Sequence, residues 1–431
     1  MTPKYPNLGL NRNPFVISVE RDITRIEEII EDVRRFCPDI RSLEYKLIKD
    51  RFLDPLVKGD DPATILNLWV QGEKGVGKSI LLKKLALDLY GSPDIMTIYV
   101  KVPEQGLDLA GIYGRSVTWL AAEKFGVLSR QIYLRHFREM TLNESARVFD
   151  LPGDTLKAFV KDFKLAAKKD PETVLGMFSK DPRAIKALRK LKVDPGLIKL
   201  KVLKRQVAGK LVARHGIYKK FADLISEYLD DPNGAFMAIQ SAKGRDTVPM
   251  LLSYFRAARD FLDARAIVLI LDEYEISWRQ MSDAKKLAMV VAIRALNDSS
   301  KGQMKFILTV VSDVFDDIAT AKFRHILDVI PKSPIGRNII DVKAIDDSQA
   351  MMLVDFLLNG EGVRSRSGKY IDPFVPEAIV ALNKHAQAAG GATRQLVVEL
   401  RDTLDEAEER GKKVIDKACL LEISPVYDKF F

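Results

Sequence analysis

A chain of 431 residues, 47% of them hydrophobic, can bury at least one large core and has room for two or three domains. No run of eighteen or more uncharged apolar residues occurs and the first fifteen residues hold no basic stretch leading into an apolar one, so the expectation is a protein with no membrane partner, in the cytoplasm. Two isolated cysteines, Cys37 and Cys419, exclude a disulfide framework and suit a reducing compartment, four scattered histidines offer no zinc cluster, and the net charge of +9 suggests a polyanionic partner.

Taken in chain order, the pattern opens with a loop carrying Asn13-Pro14-Phe15, followed by expected helices over Asp22–Phe36 and Ile40–Phe52 and a turn at Gly59–Pro62. A buried strand is expected at Ile65–Val70, rich in branched and aromatic residues, and runs into a glycine-rich loop. The helix after it, Lys78–Tyr90, repeats Leu81, Leu82, Leu85 and Leu89 at helical spacing. A second strand is expected near Met96–Val102 and a helix over Leu109–Phe125. From Leu128 to Val248 the pattern is helical and strand-poor, and it reads as an insertion. The alternation then resumes with helix Pro249–Leu262, strand Ala266–Leu271, helix Ser282–Leu296 and strand Lys305–Val311. Helices over Asp346–Leu357, Glu377–His385 and Thr393–Glu409 form a small lid. Near-continuous apolar strands separated by helices predict an α/β fold with a parallel sheet covered on both faces. The expected division is 1–62 N-terminal helical segment, 63–127 first part of the core, 128–248 basic helical insertion, 249–344 second part of the core, and 345–431 lid.

Residues Gly72-Glu73-Lys74-Gly75-Val76-Gly77-Lys78-Ser79 match the G-x-x-x-x-G-K-[ST] phosphate loop, with a strand before and a helix after. Glycines let successive N–H groups turn toward phosphate oxygens, and the helix that begins at Lys78 adds its positive end, with Ile80 in its first turn. Lys78 is expected to bridge the β- and γ-phosphates of ATP, and the Ser79 hydroxyl to ligate Mg²⁺. The strand Ile267–Leu271 ends in Asp272-Glu273, placing one acid for the Mg²⁺ shell and a second to polarise an attacking water. The strand Phe306–Val311 ends at Ser312, the preferred polar tip, with Thr309 as the second choice. Gly390-Gly391-Ala392-Thr393-Arg394 opens a helix that can bring Arg394 to the nucleotide, and Arg324 and Arg337 are the candidates for an arginine donated to a neighbouring subunit.

This order of phosphate loop, Asp-Glu strand end, polar strand tip and G-x-x-R helix start resembles the AAA+ class of P-loop NTPases. Within that class the Asn13-Pro14-Phe15 segment is similar to archaeal replication-initiator and transposition-regulator ATPases, and Leu251–Phe315 is similar to the ATP-binding proteins of BREX-type phage defence. The resemblance implies ATP hydrolysis that depends on assembly, as a homo-oligomer or with a partner protein. Two departures from the initiators stand out: the long insertion before the Asp-Glu strand, and too short a stretch after Glu409 for a winged helix.

Within the insertion, Thr141–Val160 has the layout of a helix-turn-helix, with Ala146 expected at the helix crossing. Between Lys180 and Lys220 stand fourteen Lys or Arg against two acids, a net +12, so the rest of the chain is net −3. Such a cluster suits sequence-independent contact with duplex DNA through its phosphates, against the plainer reading of a solvated helix face. Two functions follow as expectations: an Mg²⁺-dependent ATPase acting on DNA, or an ATP-gated switch acting on a protein partner without DNA.

Overall fold

The computed structural model describes residues 4–15, 23–35, 38–65, 67–178, 182–190, 194–319, 339–360, 363–364, 370–390 and 393–431. Its centre is a five-stranded sheet of β1 (Leu68–Gln71), β2 (Ile95–Lys101), β3 (Ala266–Asp272), β4 (Met304–Val310) and β5 (Ile339–Asp341). Every pairing is parallel, in the order β2-β3-β4-β1-β5. β3 and β4 are buried along their whole length, as expected for parallel strands covered on both faces. The protein is thus α/β, as its apolar runs predict. β5 falls where no strand was expected, because three residues carry no periodicity; it pairs with β1 through Trp69 and Ile339.

Alternate residues of each strand serve different layers. Val70, Tyr99, Val268, Ile270 and Ile307 pack with Leu81, Leu82 and Leu85 of the helix Lys78–Tyr90 and with the N-terminal helices. Trp69, Ile98, Leu269, Phe306 and Leu308 face the other way, into one continuous core shared with the helical residues between β2 and β3. The insertion is therefore fused to the sheet. The helix before it, expected over Leu109–Phe125 within the first part of the core, continues as Leu109–Glu139 with a break at Ala121 (φ 55°, ψ 165°), and so crosses the expected boundary at residue 127. The expected helix over Ile40–Phe52 is likewise divided into a 3-10 turn Pro38–Arg41, helix Ser42–Ile48, a π turn Lys49–Leu53 and helix Asp54–Lys58. That last helix stops at Gly59, whose φ of 98° suits a left-handed cap.

In the expected helix-turn-helix, the helices Leu142–Val148 and Gly153–Lys169 are present, the first opened by a capping box between Thr141 and Glu144. Ala146, however, is exposed, and Ser145 and Val148 are the buried residues. The inward stripe thus lies one residue from the expected one.

The C-terminal helices Asp347–Leu358, Pro376–Ala388, Thr393–Glu409 and Lys417–Ile423 enclose a third core, and the start of the chain belongs to it. Leu8, Leu10 and Phe15 are buried there, with Phe15 edge-on to Phe374 at 5.8 Å between ring centres. Tyr5 donates its hydroxyl to Asp405 at 2.7 Å, and the Asn7 and Asn13 amides reach Glu408 and Asp405, each at 2.8 Å.

Phe15→Ala should destabilise the C-terminal unit by about 3–5 kcal/mol, read as a lower unfolding midpoint in denaturant. His136 lies buried in the insertion with neither ring nitrogen hydrogen-bonded among the described residues, and burial lowers its pKa from 6.5 to about 4. The unfolded chain therefore binds a proton that the folded one refuses between those values, and stability falls as pH drops through that window, by up to about 3 kcal/mol. A His136→Leu variant should lose less stability between pH 6.5 and 4 than the parent, measured by urea unfolding at each pH.

Candidate nucleotide site

β1 ends at Gln71, and the loop Gly72–Gly77 leads into the helix Lys78–Tyr90. Two glycines are indispensable to this path. Gly72 has φ 152°, and a side-chain carbon on it would lie 2.2 Å from the Val342 carbonyl oxygen beyond β5. Gly77 caps the helix in the left-handed region at φ 103°, where other residues are strained. Lys78 folds back over the loop, its ammonium donating to the carbonyls of Gly72 at 2.7 Å and Glu73 at 3.0 Å. Burial lowers its pKa, opposed first by the charge of Glu275 and then by Asp272, Glu73 and Glu273.

β3 delivers Asp272 to the same sheet edge, 1% exposed. Three hydroxyls from three elements serve its carboxylate: Ser79 donates to Oδ1 at 3.0 Å, Thr309 to the same oxygen at 3.2 Å, and Tyr99 to Oδ2 at 2.5 Å. Thr309 also accepts the Glu273 N–H at 2.7 Å. That bond holds Glu273 in the left-handed region at φ 59°, a conformation that costs about 1–3 kcal/mol in a residue with a side chain.

The preferred polar tip, Ser312, is elsewhere. β4 stops at Val310 and Ser312 is the first residue of the next helix, half-buried, whereas Thr309 touches both acids. The register explains this: Thr309 lies beside Val70 of β1 and one residue past the Leu271–Leu308 pair, and so meets the end of β3 from within the sheet. Tyr99 was not foreseen at all, since a tyrosine within an apolar strand reads as core.

The C-terminal unit closes over the loop. The Arg394 N–H donates to the Gly75 carbonyl at 3.2 Å, and the Thr393 hydroxyl to the Val76 carbonyl at 3.4 Å. Arg41 joins them: its guanidinium donates to the Val76 carbonyl and, at 3.3 Å, to the Thr393 hydroxyl. Glu275 is a further unforeseen member, 9% exposed, with one carboxylate oxygen lacking a hydrogen-bond partner among the described residues. Burial raises its pKa and the charge of Lys78 opposes the rise. Arg324 and Arg337 lie outside the described residues.

The donor set fits a magnesium ion accompanied by phosphates. Ser79 and Asp272 are hard oxygen donors from two elements, and Mg²⁺ ordinarily takes one or two protein oxygens with phosphate and water completing its shell. Among the described residues no group of three or more His, Cys, Asp or Glu forms a closed metal cage.

Twelve of the fourteen cations between 180 and 220 are described, and the fold brings acids to at least four of them. Lys199 pairs with Asp150 at 2.9 Å, Lys204 with Glu227 and Asp230 at 2.5 Å each, Lys210 with Glu144 at 2.9 Å, and Lys220 with Asp246 at 2.8 Å. No described helix is long and apolar enough to cross a membrane.

Comparison with protein-family models finds no match, and comparison with curated proteins finds none either.

Removing the Thr309 hydroxyl leaves Asp272 short of a donor in a buried position, so Thr309→Ala should cost about 1–3 kcal/mol. Ser312→Ala should stay within about 0.5 kcal/mol of the parent. Paired thermal melts of the two variants measure the difference.

Proposed function

We propose that the chain is an Mg²⁺-dependent ATPase, a P-loop NTPase of the AAA+ type. The observation that carries this reading is the 3.0 Å contact between Ser79 and Asp272, which joins the phosphate loop to paired acids 193 residues away at one sheet edge. β4 stands between β1 and β3 and sets the Thr309 hydroxyl against both acids. Such an arrangement suits a nucleotide whose phosphates lie along the loop and whose terminal phosphate faces the acids and the strand tip.

In this reading Lys78 exchanges the Gly72 and Glu73 carbonyls for β- and γ-phosphate oxygens. Ser79 and Asp272 hold the Mg²⁺, which supplies charge neutralisation for the phosphates. Glu273 polarises the attacking water, Thr309 fixes the backbone on which Glu273 stands, and Arg394 approaches the nucleotide from the start of its helix. Gly72 through Ile80 form the cradle. Arg324 or Arg337 would act on a neighbouring subunit, so the active form is a homo-oligomer or an assembly with a partner protein. A cytoplasmic setting suits the sparse cysteines, of which Cys419 is buried as a free thiol.

Coupling to DNA through residues 180–220 is the first proposal for what hydrolysis drives, since Lys186, Arg189, Lys190, Lys201, Arg205, Arg214 and Lys219 are exposed. A specific observation favours the second, an ATP-gated switch acting on a protein: the ion pairs of Lys199, Lys204, Lys210 and Lys220 reduce the charge offered to phosphates.

Wild-type protein should bind and hydrolyse ATP only with Mg²⁺. Lys78→Ala should abolish uptake, and Glu273→Gln should retain ATP while slowing turnover by about 10²-fold or more. Uptake undiminished in Lys78→Ala would sink the proposal. Duplex DNA should stimulate turnover at low salt and progressively less as salt rises; indifference to DNA selects the protein-directed switch.

A further inference from the structure

Arg41 is a guanidinium withdrawn from solvent beside the loop, 1% exposed. It closes the 3-10 turn Pro38–Arg41, and its Nη1 pairs with Glu44 at 3.1 Å. Its Nη2 is bound to the Val76 carbonyl and the Thr393 hydroxyl. Its Nε, in contrast, is buried with no hydrogen-bond partner among the described residues. That unused donor lies beside the loop: a side-chain carbon built on Gly77 would lie 3.5 Å from Nε.

Gly77 is the cap of the thirteen-residue helix Lys78–Tyr90. The first N–H groups of a helix lack internal acceptors and favour an anion. Two independent features thus converge on one place, a helix start and a buried cation with a spare donor. Leaving a buried donor unpaired costs free energy that an acceptor recovers, and the guanidinium fork is matched to phosphate oxygens. Glu44 and, through its charge, Asp346 offset Arg41, but neither supplies the acceptor that Nε lacks.

We propose that Arg41 is a phosphate-binding residue of this site, giving its Nε–H to an oxygen of the nucleotide's phosphate chain on the Gly77 side of the loop while Nη2 keeps hold of Val76 and Thr393. The assignment rests on the ATP reading above and adds to it a residue supplied from outside the phosphate-loop motif. It also gives the C-terminal unit a direct connection to bound phosphate, because one guanidinium touches both. The neighbouring Ile40 carbonyl accepts the Gln349 amide at 2.6 Å, which seats the same segment against that unit.

The test is a titration of full-length protein with a fluorescent ATP analogue, displaced by ATP and by inorganic tripolyphosphate, after melts without ligand have confirmed that each variant folds. Arg41→Gln should weaken both ATP and tripolyphosphate by about tenfold or more. Arg41→Lys, which keeps the charge and loses the fork, should fall between Arg41→Gln and wild type. Gln349→Ala, which loosens the segment without touching the guanidinium, should bind like wild type. Folded Arg41→Gln binding both ligands as tightly as wild type overturns the proposal, as does an equal loss in Gln349→Ala, which would make Arg41 a packing clamp. Should Arg41→Gln not fold, Arg41→Lys decides, and wild-type affinity for tripolyphosphate in that variant counts against the assignment. Failure of the wild type to bind either ligand is a different result and removes the ATP reading itself.

Discussion

A carboxylate taken out of water must have its oxygens satisfied, and Asp272 meets that requirement with hydroxyls from Ser79, Tyr99 and Thr309. Each hydroxyl arrives on a different element: the helix after the glycine-rich loop, β2, and β4. Satisfying one buried charge therefore constrains the ends of three strands and the loop together. Thr309 reaches both Asp272 and the Glu273 N–H because β4 lies directly beside β3.

The loop is bounded on its other side by parts of the chain that are far away in sequence. Arg394, Thr393 and Arg41 hold the carbonyls of Gly75 and Val76. Residues 4–15 are packed into the C-terminal core, and the Ile40 carbonyl is bonded to Gln349. The two ends of the described chain thus form one body that rests on the loop through a few polar contacts. Those contacts join the Gly75–Val76 carbonyls directly to the start of the helix Thr393–Glu409.

The helical residues between β2 and β3 share one core with a face of the sheet. Their basic character is smaller in space than along the chain, because Glu144, Asp150, Glu227, Asp230 and Asp246 approach four of the lysines. Charge counted over a window of sequence overstates the field wherever helices return acids to the same surface.

Much of the candidate site is legible in the sequence. The glycine-rich loop Gly72–Gly77 and the Asp272-Glu273 strand end are contiguous patterns of neighbouring residues, and strand and helix periods placed β3, β4 and the helices Lys78–Tyr90 and Thr393–Glu409 to within a residue or two. What needed the tertiary structure was everything set by residues meeting across the fold. Thr309 replaces Ser312 as the polar neighbour of the acids through strand register; Tyr99 and Glu275 matter because of what lies beside them; Arg41 reaches the loop from 35 residues upstream; Phe15 packs with Phe374. Local sequence determines conformations and motifs that act over a few residues, because those depend on spacing along one element. Burial, pairing of charges and the partner of each polar atom depend on which distant segments pack together, and only the folded chain decides that.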